Sequence, residues 1–514
     1  MEAHDEAVRA VSERLRRFYA RRAAFRVYHG ATNSTRTVQK DADAVVDTSG
    51  LDRVLAVDEA ARTALVEPNV PMDALVAATL AHGLVPLVVM EFPGITAGGG
   101  FSGSAGESSS GRHGTFDATV EAIEIVVPDG AVLRASRTRN PDLFWGAASA
   151  FGTLGVVTLL EIRLRGAARY VELTHHPLRT FAEASRQLQE QVADADVEFS
   201  DGIVFSPRSI VVCAGRLVDE LPAGRRPRRY RGRGDPWFYL DVERRVAAGS
   251  AAAAAPTVVD YVPLVDYLFR WDRGGFWVAR YAYRYFLTPF NRATRYALDP
   301  FMHARVMYHA LHKSRLSDTY VIQDVGVPFD EAESFFEWLD GALHIYPLWL
   351  CPIRVRRDAP DAAHGLHAGF ADPAGPEVLL NFGVWGPPRG DSGGGDRGDE
   401  MVRLNRLLEH EVHARRGHKT LYAQAFYTED EFWRSYDRPA YDAVRARYRA
   451  DHLPSVYDKV RVDEAAKRRA AEQTRMPRFL RDRRPFQGLY GVYKAWRGGD
   501  YLLQKKASGK AQPA

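Results

Sequence analysis

The stretch PGITAGGGFSGSAGESSSGRHGTF, Pro93–Phe116, decides how the rest of the chain is read. Glycines recur through it between small hydroxyl residues. A backbone without Cβ atoms lets N–H groups approach a diphosphate or form an anion-binding nest. The first basic residue is Arg112, so anion binding here would rest on main-chain dipoles and hydroxyls. Gly98–Gly103 matches GxGxxG by letters. A Rossmann fingerprint needs a helix directly after its glycines, and the SGSAGESSSG that follows is a poor helix former. The segment therefore reads as a long phosphate-cradling loop.

Around it, from Phe25 to about Ala168, short strands and helices alternate. Arg53–Val57 and Thr63–Val66 are strand-like, and Asn69 and Pro71 open a helix that Gly83 stops. Val120–Val127 and Ala131–Arg134 form a hairpin about Pro128-Asp129-Gly130. Asn140-Pro141 starts the helix DLFWGAASAF, and Thr153–Leu164 is a long apolar strand. Upstream, Val8, Val11, Leu15 and Phe18 recur at helical spacing over Glu6–Arg22, an amphipathic helix. Downstream, Tyr170 to about Val460 is richer in aromatics, with strands at Gly202–Phe205, Ser209–Ala214, Tyr320–Val327 and Leu379–Phe382. Arg225–Arg233, with six arginines, Ala247–Ala255 and Gly386–Gly398 read as loop insertions, and no internal repeat is visible. The fold class is α+β, with units expected at 1–22, 23–168, 169–460 and 461–514.

At 514 residues, 46% hydrophobic and 26% charged, the chain is globular and long enough for two or three domains. Cys213 and Cys351 are its two cysteines, which excludes a disulfide scaffold or a CxxC metal site and fits a reducing compartment. There is no long apolar run and no signal-type leader, so a cytoplasmic location is expected. The net charge of +4 hides a tail from Arg461 onward at about +9, with the body near −5. That balance argues against nucleic-acid binding by the body and suggests peripheral contact of the tail with an anionic membrane. His410-Glu411-Val412-His413 is one residue short of the zincin spacing and reads as a surface helix, so no metal is expected.

The glycine-rich core TxGG…GES at Thr96–Ser108, the hairpin EIVVPDGAVLRAS with DLFWGA, and FGTLGVVTLLEIRL at Phe151–Leu164 together resemble the vanillyl-alcohol-oxidase type (PCMH-type) of FAD-binding flavoprotein. Within that family they resemble the Δ24-sterol reductases, the Diminuto/seladin group. The likeness continues through PWFYLDVE (Pro236–Glu243), YVPLVDYLFRWDRGGFW (Tyr261–Trp277), YVIQDVGVP (Tyr320–Pro328), HIYPLWLCP (His344–Pro352), LYAQAFYTEDEFW (Leu421–Trp433) and DHLPSVYDKV (Asp451–Val460). The resemblance implies a two-subdomain FAD-binding domain followed by an α+β substrate (cap) domain. It implies FAD as cofactor, NADPH as reductant, and a sterol or other lipid as substrate. It places FAD on Asn33 and Ser34, on each residue of Thr96–Ser108 (Thr96, Ala97, Gly98, Gly99, Gly100, Phe101, Ser102, Gly103, Ser104, Ala105, Gly106, Glu107, Ser108), and on Gly152, Gly155 and Val156. Where relatives carry a flavin-linked histidine, HGATNST at His29–Thr35 offers only His29, so FAD is expected to be held non-covalently.

Reducing an isolated C=C requires a hydride over one carbon and a proton donor by the other, in a water-poor cleft. The candidates for the donor are Glu107, His113, Asp324, Tyr422 and Tyr427; Asp324 stands out as a charge inside an apolar strand. Two other reactions suit the same resemblance: saturation of a methylene-branched fatty acyl chain, and oxidation of an alcohol or sugar. A non-catalytic lipid-binding protein is a third possibility.

Overall fold

The computed structural model describes residues 2–28, 44–249, 257–307, 320–355, 374–388 and 397–463. It begins with the amphipathic helix, Glu2–Ala20, whose Val8, Val11, Leu15 and Phe18 are all buried. The helix is one turn longer at its start than the apolar spacing suggests. His4 is buried there, with its Nδ1 2.9 Å from Glu67.

The first unit is an antiparallel sheet in the order Val54–Asp58, Thr63–Val66, Val156–Gly166, Val120–Val126, Val132–Ser136, with Leu84–Pro86 pairing the far end of Val156–Gly166. A separate parallel pair joins Arg26–Tyr28 to Val45–Asp47. The expected hairpin and long strand are present. The glycine-rich loop is not a loop throughout: Ala97–Gly103 is a helix, capped by the Thr96 hydroxyl accepting from the Gly99 N–H, and Ser110–His113 forms a further turn. Glycine's poor propensity is overridden by burial of Ala97 and Phe101 in the core.

The second unit is an eight-stranded antiparallel sheet: Val258–Pro263, Tyr170–Leu178, Ser209–Val218, Phe199–Ser206, Leu348–Arg354, Val378–Gly386, Val321–Pro328, His418–Lys419. It contains a repeat that the sequence hides. Strand 170–178, helix Phe181–Ala193 and strands 199–206 and 209–218 are matched by strand 321–328, helix Ala332–Ala342 and strands 348–354 and 378–386. The two copies meet where 199–206 pairs with 348–354. Such a repeat needs only a matching order of apolar strands and an amphipathic helix, not matching letters.

Both faces of this sheet are covered, which explains its nearly continuous apolar strands. Val204, Val212, Leu350 and Phe382 pack under helices 181–193, 332–342 and Arg397–Ala414. Their neighbours Ile203, Val211, Cys213, Trp349 and Cys351 join the core shared with the first unit. At that junction Arg270 and Asp201, each about 1% exposed, form an ion pair at 2.7 Å, and the Trp349 indole also donates to Asp201.

The arginine-rich segment is more than a solvated insertion. Arg228 pairs with Asp241, and Tyr230 is buried. The tail beyond residue 463, the 250–256 alanine run and most of the 386–398 loop lie outside the described residues. His410–His413 lies on the Arg397–Ala414 helix, with His410 exposed. No described helix is long and apolar enough to cross a membrane.

Removing one partner of a buried ion pair leaves an uncompensated charge, at a cost of about 3–5 kcal/mol. Asp201→Ala is therefore expected to lower the unfolding free energy by about that amount, measured by urea melting. A loss below about 1 kcal/mol would mean that the pair is solvated.

Candidate functional site

The most unusual backbone in the first unit lies where two of its segments meet. Ser104 (φ +45), Ser149 (φ +60) and Phe151 (φ +50) all adopt the left-handed conformation without being glycine, and Gly152 follows at φ +71. The Ser104 and Ser149 hydroxyls are hydrogen-bonded to each other. Each such residue costs on the order of 1 kcal/mol, and a cluster of them persists only when its surroundings hold it. Here the C-terminal segment does so. The Tyr441 hydroxyl donates to Thr153 Oγ1 at 2.7 Å and Lys459 Nζ to the Phe151 carbonyl at 3.0 Å.

Gly103, Ser104, Ser149 and Phe151 line a cavity of about 310 Å³. Its far wall is the second sheet, through Gly326, Ile353, Arg354 and Asn381. Arg112, Arg137, Arg163 and Arg354 give the cavity a basic lining. Arg112, Arg163 and Arg354 are paired with Glu198, Glu121 and Glu377 behind them, and the guanidinium edges left toward the cavity suit a phosphate-bearing ligand.

The glycine ribbon serves this cavity differently from the sequence reading. The amides of Ala97 and Gly98 donate to the Val70 and Pro68 carbonyls, and those of Gly99 and Gly100 to Thr96. These four N–H groups are taken, so they cannot form the expected diphosphate cradle. A Cβ on Gly98 would lie 2.6 Å from Pro68 Cβ, and one on Gly100 2.4 Å from Met90 Cε, so these glycines answer to packing. Ala97, Phe101 and Val156 are likewise core residues. A Cβ on Gly103 would meet nothing closer than 4.0 Å. The N–H groups of Gly106, Ser108 and Gly152 have no acceptor among the described residues. Ser108 is itself buried, and none of the three lines the cavity. Gly155 must be glycine, because a Cβ there would lie 2.5 Å from the Val126 carbonyl. Asn33, Ser34 and His29 lie outside the described residues.

The structure separates the proton-donor candidates. Glu107 is buried; it accepts from the Ser109 N–H at 2.7 Å and the Ser108 hydroxyl at 2.8 Å, bracing the ribbon, and burial raises its pKa. The Cys351 thiol donates to the Glu107 carbonyl at 3.1 Å, tying the ribbon to the second sheet. His113 lines the cavity with its Nε2 2.8 Å from Glu198, which Arg165 also contacts. Tyr427 lies apart, packed on Phe432 in the C-terminal core.

Asp324 and Tyr422 come together. The Tyr422 hydroxyl donates to Asp324 Oδ2, and Asn381, which lines the cavity, donates to Asp324 Oδ1 at 3.0 Å. Burial pushes the Asp324 carboxyl up to about 6, against the pull of these hydrogen bonds. A further carboxyl escaped the sequence reading. Glu91, half-buried, is pushed up to about 8, chiefly by desolvation and then by the nearby charges of Glu107 and Asp324. A lone acid ending the apolar run Leu84–Met90 was the available signal.

Comparison with known proteins bears on this geometry. Residues 6–136 match the family model described as FAD binding domain. The chain is 27% identical to Delta(24)-sterol reductase of Homo sapiens over 425 residues, 79% of this chain and 76% of that protein. It is 28% identical to Delta(24)-sterol reductase of Arabidopsis thaliana over 462 residues, 84% of this chain and 79% of that protein. With the Delta(24)-sterol reductase homolog dhcr-24 of Caenorhabditis elegans it shares 26% identity over 447 residues, 81% and 78% of the two chains. The resemblance read from the motifs therefore extends through both units, and the first carries an FAD-binding domain. The arginine-lined cavity and the left-handed turn beside it fit the phosphate groups of that cofactor.

Two measurements test this division of labour. Gly98→Ala should lower stability by about 1–3 kcal/mol through overpacking, whereas Gly103→Ala should leave the melting temperature unchanged or slightly higher. Equal losses would refute the assignment. The raised pKa of Asp324 means that its contribution to stability is present below the ordinary carboxylate range and is lost as pH rises through about 6. Asp324→Asn should therefore match the parent below pH ~4 and exceed it in stability above pH ~6; a gain independent of pH would contradict the burial.

Proposed function

We propose that the chain is an FAD-dependent oxidoreductase that saturates an isolated C=C in a sterol, drawing reducing equivalents from NADPH. The single observation that carries this reading is that similarity to the sterol reductases covers the second unit as well as the flavin domain. An alcohol or sugar oxidase would need only the flavin domain in common. Bound, FAD supplies the hydride. Gly103, Ser104 and the arginines of the cavity wall would hold the cofactor non-covalently. The Ser104–Ser149 contact and the Tyr441 and Lys459 braces keep the turn that lines the cavity in place.

An unactivated alkene offers no carbonyl to polarise, so the chain must deliver a proton at the carbon beside the one that takes hydride. We assign this to Asp324 acting through Tyr422. The buried carboxyl holds its proton below pH ~6, and the half-buried Tyr422 is hydrogen-bonded to it. Glu91, protonated at neutral pH, keeps a second negative charge out of the same junction. A cytoplasmic protein resting on a membrane surface, with its basic tail against anionic lipid, would meet such a substrate where it dissolves.

Anaerobic mixing divides the reaction into halves. NADPH alone should bleach the flavin absorbance, and a Δ24-unsaturated sterol should restore it while gaining two hydrogens by mass spectrometry. Tyr422→Phe should slow the second step by about 10²-fold or more and leave the bleaching step unchanged. Flavin that stays oxidised with NADPH but bleaches with an alcohol would replace this reading with that of an oxidase.

A further inference from the structure

Among the described residues the exposed large apolar side chains are Val132, Leu287, Tyr296 and Phe301, and three of these four fall within 287–301. Leu287 is 86% exposed and held at φ +53, so neither shelter nor backbone preference accounts for a leucine there. The Arg292–Leu298 helix that follows is closed by an Asn291–Thr294 capping box and buries none of its residues. Phe290 roots this lobe on the protein, with its ring 5.8 Å from Trp237 and 5.0 Å from Tyr283. The lobe is thus a built projection with apolar side chains on the outside.

The arginine-rich segment is attached to the same lobe. Arg233 donates to the Tyr296 carbonyl at 2.6 Å, and its guanidinium lies 4.4 Å from the Tyr296 ring centre. Five arginines between 225 and 233 are exposed, as are Arg284 and Arg292. The 225–233 stretch holds no acid, and the one acid of 284–301, Asp299, is buried and paired with Arg273; the exposed Asp219 and Glu220 precede the arginines. Exposed apolar residues beside a cluster of exposed arginines match the chemistry of an anionic lipid surface. A second copy of this chain would bring two like-charged patches together.

We propose that the 284–301 lobe, with the 225–233 arginines beside it, docks the protein on an anionic phospholipid bilayer. Leu287 and Phe301 enter beneath the headgroups, Tyr296 sits at the interface, and the arginines bind lipid phosphates. The proposal is independent of the reaction assigned above and of the basic tail.

The test uses the full chain, loaded with FAD, and vesicles of phosphatidylcholine with or without phosphatidylserine. The protein should sediment with the vesicles containing phosphatidylserine and be released by salt. The double variant Leu287→Glu, Phe301→Glu should partition about tenfold more weakly while keeping the parent's melting temperature and flavin spectrum. Tyr296→Trp should shift its fluorescence to the blue on vesicle addition. Parent-like binding by the double variant would overturn the proposal, because the tail would then carry the contact. So would failure of the parent to bind vesicles, or binding to an acidic polypeptide but not to them.

Discussion

Between the two sheets runs a ribbon of backbone that has room for hydrogen where other residues carry a methyl group. On one side Gly98 abuts Pro68 and Gly100 abuts Met90; on the other, a Cβ at Gly106 would come within 2.9 Å of Ile353 in the second sheet. The units approach closely because this ribbon is thin. Buried polar groups then join across the contact. Cys351 donates to the Glu107 carbonyl, and the Ser108 and Tyr267 hydroxyls lie 3.3 Å apart. The basic cavity and the carboxyl cluster both form along this seam, so the site depends on the closeness that the glycines permit.

That dependence shows why the ribbon was only partly legible. Glycine clustering marked the right segment, and flanking strands placed it within a sheet. Letters alone do not tell a glycine that admits a phosphate from one that admits a proline ring, because both require a missing Cβ. The short 97–103 helix was hidden for a related reason: its stability comes from burial of Phe101 rather than from propensity. The strained turn at Ser149–Gly152 had no composition signal beyond its glycines. Strain belongs to the assembled fold, and here it is maintained by Tyr441 and Lys459, about 300 positions away.

Legibility was better in the second unit, where continuous apolar runs carry most of the information. Asp324 announced itself as a charge among valines, and the structure gives it partners from two other segments. Glu91 bears a similar signature, a carboxylate closing the apolar run Leu84–Met90, but it stands at the end of its run where an exposed acid is ordinary. The doubled strand–helix–strand–strand unit was invisible because its halves share a pattern of burial and not a sequence.

Acids from both units meet at the seam: Glu91 and Glu107 from the first, Asp324 from the second. Each carboxyl is kept protonated more readily by desolvation, and Glu91 also by the charges of the other two. Desolvation of this kind exists only while the units are in contact. A proton held at Asp324 is therefore a property of the closed pair of sheets, not of either alone. The ribbon that lets them close sets the acid strength available in the cavity, and Arg270, buried beside Asp201, limits it by offering Glu91 and Glu107 a compensating positive charge. Packing and chemistry in this protein are accordingly one constraint: whatever widened the seam would hydrate the carboxyls and bring their pKa values back toward the ordinary carboxylate range.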